Sequence, residues 1–322
     1  MSASGVDMDV FWEACTAHGV VSKKLVVHRS PHSTSPVGLC AAEAVKHGAP
    51  LINVPYHAVL NAQTLRGDLL PRALPPLRKA ALFLTRRGRL GLVTAHSLWL
   101  ACFLACHAEE CAHAQHARKS FLHPFLSNGV YPPLPNLFLT ANASSCPGLR
   151  SVPAAELQEA ERRVSGEMDL IHTMLRHYGK RRGVPAGLCP HREALVLSYR
   201  TVMQRAILLP LNCQPSSPDD LAELIESSPG IPLIPSLVPV IDMIRPAHPS
   251  KTAAEAKEDD ESEAELTSSA NCTLLTCVQS DFVSPSSRRR VIVETAPLAA
   301  RRVVVCAAKA IKEGEELRMD FE

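Results

Sequence analysis

Hydrophobic and polar positions fall into three regimes along the chain. Residues 9 to 19 place Val10, Phe11, Ala14 and Cys15 on one face of a short helix, and His18-Gly19 supplies its C-terminal stop. The repeat then shortens. KKLVVHRS (23 to 30), LCAAEAV (39 to 45) and APLINVP (49 to 55) read as strands separated by SPHSTSPVG and His47-Gly48, and the last two predict a hairpin. From 62 to 210 the apolar spacing becomes helical. RKAALFLTRRGR, HSLWLACFLACHAEECAHA and REALVLSYRTVMQRAILL (192 to 209) each keep one apolar face. PAAELQEAERRVSGEMDLIHTMLRHYGKRR is a longer helix, opened by Pro153 and striped by Leu157, Val164, Met168, Ile171, Met174 and Leu175. FLHPFLSNGVYPPLPNLFLTANASSCPG is a Pro-rich connection within this block.

After 210 the pattern changes again. IPLIPSLVPVIDMI (231 to 244) predicts a buried irregular segment. AAEAKEDDESEAELTSSA (253 to 270) carries seven acids against one Lys and reads as a solvated, flexible insert. CTLLTCVQSDFV, RRRVIVETAP and RRVVVCAAKAI are β-branched strands, and KEGEEL turns into a last short strand, LRMDF. The expected class is therefore α+β. Small β-sheets stand at both ends, 1–61 and 211–322, around an inserted helical region at 62–210.

Composition supports a full-sized core and narrows the chemistry. The 322 residues are 46% apolar and 20% charged, which excludes a mainly disordered chain. The 34 basic and 32 acidic residues nearly balance, so no basic footprint for nucleic acid stands out. Arg288-Arg289-Arg290 is shorter than a basic motif and reads as a solvated hairpin end. No apolar run is long enough to cross a bilayer, and MSASGVDMDVFWEAC lacks the features of a signal or transit peptide, so the expected address is cytoplasmic or nuclear. An odd count of 11 Cys favours reduced thiols. Cys102, Cys106, His107, Cys111, His113 and His116 cluster, but Cys102 and Cys106 continue an apolar helix face and no CxxC pair occurs. Core packing is the expectation there, and no metal site is assigned. The chain contains no GxGxxG, P-loop, HExxH or GxSxG motif.

Five segments in order resemble the SET-domain methyltransferase family. The similar branch contains the Rubisco large-subunit lysine methyltransferase and the actin-histidine methyltransferase. The segments are VGLCAAEAVKHGAPLINVPYHAVL (37 to 60), the helix SLWLACFLACHAEECAHAQHARKS running on to PPLPNLF, VLSYRTVMQRAI (196 to 207), LVPVIDMIRPAHP (237 to 249) and AAKAIKEGEELRMDF (307 to 321). Asn271-Cys272 is similar to a later Asn-Cys pair of the family. The resemblance implies a SET-type fold that binds S-adenosylmethionine on one side and admits a protein side chain from the other. The methyl would pass in line to a neutral lysine or histidine nitrogen, with positioning supplying most of the rate.

The resemblance also assigns residues. Backbone at Gly38, Leu39 and Cys40 would hold the cofactor's amino-acid portion, and Arg205 its carboxylate; by position alone, Arg205 reads equally as an exposed helix charge. Asp242 would fix the turn into the cofactor-binding residues, and local chemistry equally allows an Asx-turn or cap. Arg245-Pro246 stands where the family has Asn-His, and Pro246 offers no N–H. Gln204 and Ile207 replace a Ser and an aromatic. Phe321 stands at the position of the family's catalytic Tyr, and a lost catalytic donor costs about 10²–10³ in rate. The chain stops one residue after Phe321, where the branch continues into a helical substrate-binding region. Two functions follow: a methyltransferase acting on a protein, or a catalytically degenerate SET fold that binds a protein partner.

Overall fold

The computed structural model describes residues 8–22, 25–29, 37–65, 70–86, 92–112, 154–210, 233–246, 270–278 and 298–320. Two compact units divide the chain. One comprises residues 1–14 and 60–237, the other residues 15–59 and 238–322. The segments 253–269 and 288–297, and the whole Pro-rich connection at 121–148, lie outside the described residues.

The first unit is built on helices α2 (Leu77–Thr85), α3 (Leu92–Ala112), α4 (Ala154–Arg181) and α5 (Arg192–Arg205). Helix α3 is its axis, because it is apolar nearly all round, and such a helix must be buried. Every side chain from Ala95 to His107 is buried, and α3 packs on both α2 and α5. Ala101, Cys102, Ala105 and Cys106 are small, so neighbouring helices approach closely. Trp99 Nε1 donates to the Pro75 carbonyl at 2.9 Å, and Trp99 stacks on Phe103. Burial pushes the Cys102 thiol up to about 12, and the Cys106 thiol also rises. Both sulfurs are packing groups rather than nucleophiles. No group of three or more His, Cys, Asp or Glu that could hold a metal occurs among the described residues.

On α4, Met168, Ile171, Met174 and Leu175 face this core, as the apolar stripe predicts. The helix ends in a Schellman motif. Gly183 (φ +66°) donates to Lys180 O, and Val184 donates to Gly179 O. The helix expected over 192–209 stops at Arg205. Ile207–Pro210 instead forms β5, paired antiparallel with β6 (Leu233–Ser236). Strand pairing overrides the helix propensity of Leu208 and Leu209, because β6 supplies the backbone partners. Within 231–244, expected to be buried and irregular, residues 234–241, 243 and 244 are buried, and the span includes this strand and a 3₁₀ turn at Ile241–Met243.

Helix α1 spans Met8–Ala17, and Gly19 (φ +74°) closes its end as expected. The second unit holds a six-stranded sheet, with strands of the chain's two ends interleaved. Its members are β1 (Val21–Ser22), β4 (Pro50–Pro55), β7 (Arg245–Pro246), β8 (Cys272–Val278), β9 (Arg301–Ala307) and β10 (Arg318–Met319). Their order is β1-β4-β9-β8-β10-β7. Val303, Val304 and Val305 on β9 are buried without alternation, which marks a strand covered on both faces. Arg301, fully buried, lies over the Tyr56 ring at 5.7 Å.

Strands β2 (Leu25–Arg29) and β3 (Val37–Ala41) form a separate pair. The hairpin expected between 39–45 and 49–55 is therefore absent. Strand β3 ends at Ala41 and pairs with β2, while β4 pairs with β1 and β9. The turn itself is present, with Gly48 at φ +76°. Val45 exchanges both backbone bonds with Ile311, at 2.8 and 2.9 Å, so its partner comes from the far end of the chain.

Helix α3 also buries one polar group without compensation. His96 is 1% exposed, and neither imidazole nitrogen has a hydrogen-bond partner among the described residues. Burial lowers its pKa to about 4. Below 6.5 the unfolded chain takes up a proton that the folded helix refuses. The contribution of neutral His96 is present above pH 6.5 and lost as pH falls toward 4. We expect about 3 kcal/mol of stability to disappear across that window. In urea unfolding curves collected from pH 4 to 7, the His96→Leu variant should lack this slope.

Candidate functional site

The site in the second unit is organised by the segment 311–319. Its turn is set by Gly314 (φ +77°), as KEGEEL predicts, and it bonds to three stretches remote in sequence. Toward β3, Gly314 N–H donates to Ala41 O at 2.8 Å, Ala41 N–H to Glu315 O at 3.0 Å and Leu317 N–H to Leu39 O at 2.7 Å. Cys40 faces Glu316 across this bridge. Further on, β10 lies between β8 and β7 and runs parallel to both, pairing Arg318 with Arg245 and Met319 with Pro246.

Asn271 fastens this segment. It is 2% exposed. Its Nδ2 donates to Glu315 Oε1 at 3.0 Å and to the Glu316 carbonyl at 2.9 Å. Its Oδ1 accepts from the Arg318 N–H at 2.8 Å and from Cys272 Sγ at 3.3 Å. Its backbone N–H donates to Arg318 O, and its carbonyl accepts from the Ala308 N–H. One amide thus meets most of its bonding capacity against a strand that begins more than forty residues later. Burial pushes the adjacent Cys272 thiol up to about 12, so it is a packed donor and not a reactive thiolate.

Several residues picked out in the sequence meet around this segment. Gly38 and Leu39 are buried on β3, and Cys40 is half-buried. The 3₁₀ turn Ile241–Met243, which carries Asp242, packs on β3. Arg245 and Pro246 form β7 beside β10. Arg205 belongs to the first unit, where it is the last residue of α5 and only 8% exposed, so it is not an exposed helix charge. Phe321 lies outside the described residues.

Two features of the site escape sequence reading. Val240 adopts φ +73°, ψ −44° directly before the Asp242 turn, and it is fully buried. A β-branched residue in that conformation costs about 1–3 kcal/mol, held in place by its surroundings. Nothing in the string LVPVID signals it, since valine is among the residues least suited to positive φ. The second feature is the number of contacts made by Asn271, whose partners are set by chain threading and not by neighbours.

With this geometry in hand, comparison with solved structures gives the fold. The SET domain of LSMT bound to lysine and AdoHcy superposes with a TM-score of 0.51 at 10% identity, over 98% of this chain and 53% of that chain. The SET domain of LSMT bound to MeLysine and AdoHcy gives 0.51 at 11% identity over the same shares. No family model and no curated protein matches the sequence. The chain has a SET-domain fold of the α+β class, and it spans about half the length of the solved chains it matches. No helix among the described residues is long and apolar enough to cross a membrane.

The clasp yields two expectations. Asn271→Ala leaves the Arg318 N–H and Glu316 carbonyl without their partner, which should cost roughly 2–4 kcal/mol in urea unfolding at pH 7. The second concerns Glu315, whose pKa is lowered from 4.5 chiefly by the Lys312 N–H and then by Asn271. A depressed carboxyl stabilises the fold above its unfolded pKa, and this is lost as pH falls through the folded value. Glu315→Gln should therefore flatten the loss of stability below about pH 4.5, read as the urea midpoint from pH 3 to 6.

Proposed function

We propose that this chain is an S-adenosylmethionine-dependent methyltransferase acting on a lysine or histidine side chain of a protein. The observation that carries the reading is the gathering of Gly38–Cys40, the Asp242 turn and Arg245-Pro246 around the 315–319 segment. The likeness in fold to a SET domain solved with AdoHcy and either lysine or MeLysine supports it.

Gly38 in the second unit and Arg205 in the first each have chemistry suited to the cofactor's amino-acid portion. Gly38 is buried and has no side chain, so a ligand can lie against the backbone there. The planar guanidinium of Arg205, largely removed from water, suits a carboxylate. S-adenosylmethionine, when bound, supplies the methyl on an electrophilic sulfonium. The chain's own residues bind it, orient it and exclude water. The target amine must arrive neutral, which a dry channel promotes by disfavouring its charged form.

One observation favours a second reading, a SET fold retained to bind a protein partner without turnover. Pro246 occupies β7 and has no N–H to give, and Phe321 has no hydroxyl to place the target nitrogen. Calorimetric titration of S-adenosylmethionine into the chain separates the two. Micromolar binding that Arg205→Ala weakens at least tenfold is the expected result. No heat at millimolar cofactor, from protein shown folded by circular dichroism, leaves the binding module.

A further inference from the structure

The helical unit carries a cleft of about 890 Å³ between the C-terminal half of α4 and the turn that leads into α5. One wall is a single face of α4. His172, Arg176, His177 and Lys180 succeed one another there over nine residues, whose eight steps rise about 12 Å along the helix. The opposite wall is the 183–191 segment, which adds His191. Val184, Ala186 and Pro190 give it an apolar floor.

The turn is seated firmly against the helix. A Cβ on Gly179 would meet Cys189 Sγ at 2.8 Å, so the Cys189 side chain packs directly on the helix backbone there. All the ionisable groups that line the cleft, Cys189 apart, are basic. Two acids lie near enough to act on His172. Asp169, one turn before His172, is paired with Arg192, and Glu193 sits in the first turn of α5. No ion pair to Arg176 or Lys180 occurs among the described residues.

Helix-end electrostatics account for Lys180 and Arg181, which complement the negative end of α4. They do not account for His172, Arg176 and His177, which lie before the last turn, where that effect has faded. A row of this length also exceeds what one phosphate needs. An extended peptide advances about 3.3 Å per residue, so roughly four residues match it. The cleft has no Phe, Tyr or Trp on which nucleobases could stack.

We propose that this cleft is a docking site for an extended acidic segment of a partner protein. Carboxylates spaced along the segment would meet Arg176 and Lys180, and its backbone and apolar side chains would lie on Val184 and Pro190. The site is independent of the methyl-transfer reading. His172, on the α4 wall, makes it responsive to pH. His172 is held below 6.5 by burial, then by Arg176 and His191, against the opposing pull of Asp169 and Glu193. Protonation of His172 as pH falls adds positive charge to the cleft, so an acidic segment binds more tightly at lower pH.

The test is fluorescence anisotropy of the full chain with a fluorescein-labelled octapeptide of alternating Glu and Leu. Saturable binding is expected, tighter at pH 5.5 than at pH 8 and weakened by 0.5 M salt. The exposed pair Arg176→Glu/Lys180→Glu should weaken it at least tenfold. The control pair Arg162→Glu/Arg163→Glu, earlier on the same helix, should change it less than threefold. No saturable binding at millimolar peptide, equal loss in both variants, or tighter binding of a labelled oligothymidine than of the peptide would each overturn the proposal. Circular dichroism of each variant shows that it is folded, and Arg176→Gln/Lys180→Gln, which removes charge without reversing it, repeats the measurement if it is not.

Discussion

The second unit depends on how the last described stretch, 311–319, is held. A two-residue strand such as β10 has little hydrophobic area of its own and depends on its partners. Here it receives backbone bonds from β3 and Val45 on one stretch and parallel pairing from β7 and β8 on others. Asn271 locks the register. Its amide is nearly saturated, so sliding β10 by one residue would break several buried bonds at once. The same threading sets the candidate cofactor edge, because β3 and β7 are both tied to this segment.

Buried polarity is handled in contrasting ways across the chain. Asn271 is embedded with its partners around it, and such a group specifies a unique arrangement. Arg301 lies buried over the Tyr56 ring, an arrangement in which aromatic π-density faces the cation. His96 is kept neutral and bare among apolar neighbours. Val240 stores strain of another kind, in the backbone, two residues before Asp242. Strain of that type persists where the surroundings over-determine a conformation, and it is often found beside functional residues.

The two candidate surfaces call on different physics. The SET-type edge is built from backbone, a glycine and strand ends, and it suits a ligand bound by hydrogen bonds and shape. The cleft on α4 is built from cationic side chains over an apolar floor, and it suits a segment recognised by charge. The first arises from chain topology, the second from one helix face and the turn after it.

Much of the fold is legible in the sequence. The apolar stripe of α4, the turn glycines Gly19, Gly48 and Gly314, and the β-branched run of β9 each follow from local chemistry, whereas α3, read as a helix with one apolar face, is buried all round from Ala95 to His107. The order of motifs also pointed to the α+β SET class that the solved structures bear out. Pairing was not legible. Periodicity suggested a hairpin between 39–45 and 49–55 and a helix through 209, and both gave way to partners distant in sequence. Local patterns determine which faces must be buried and where the chain turns, because those depend on neighbouring side chains. Tertiary structure alone decided the threading of 311–319, the role of Asn271, the positive φ of Val240 and the meeting of α4 with the 183–191 turn. Each of these rests on backbone bonds or close packing between segments whose separation along the chain leaves no periodic trace.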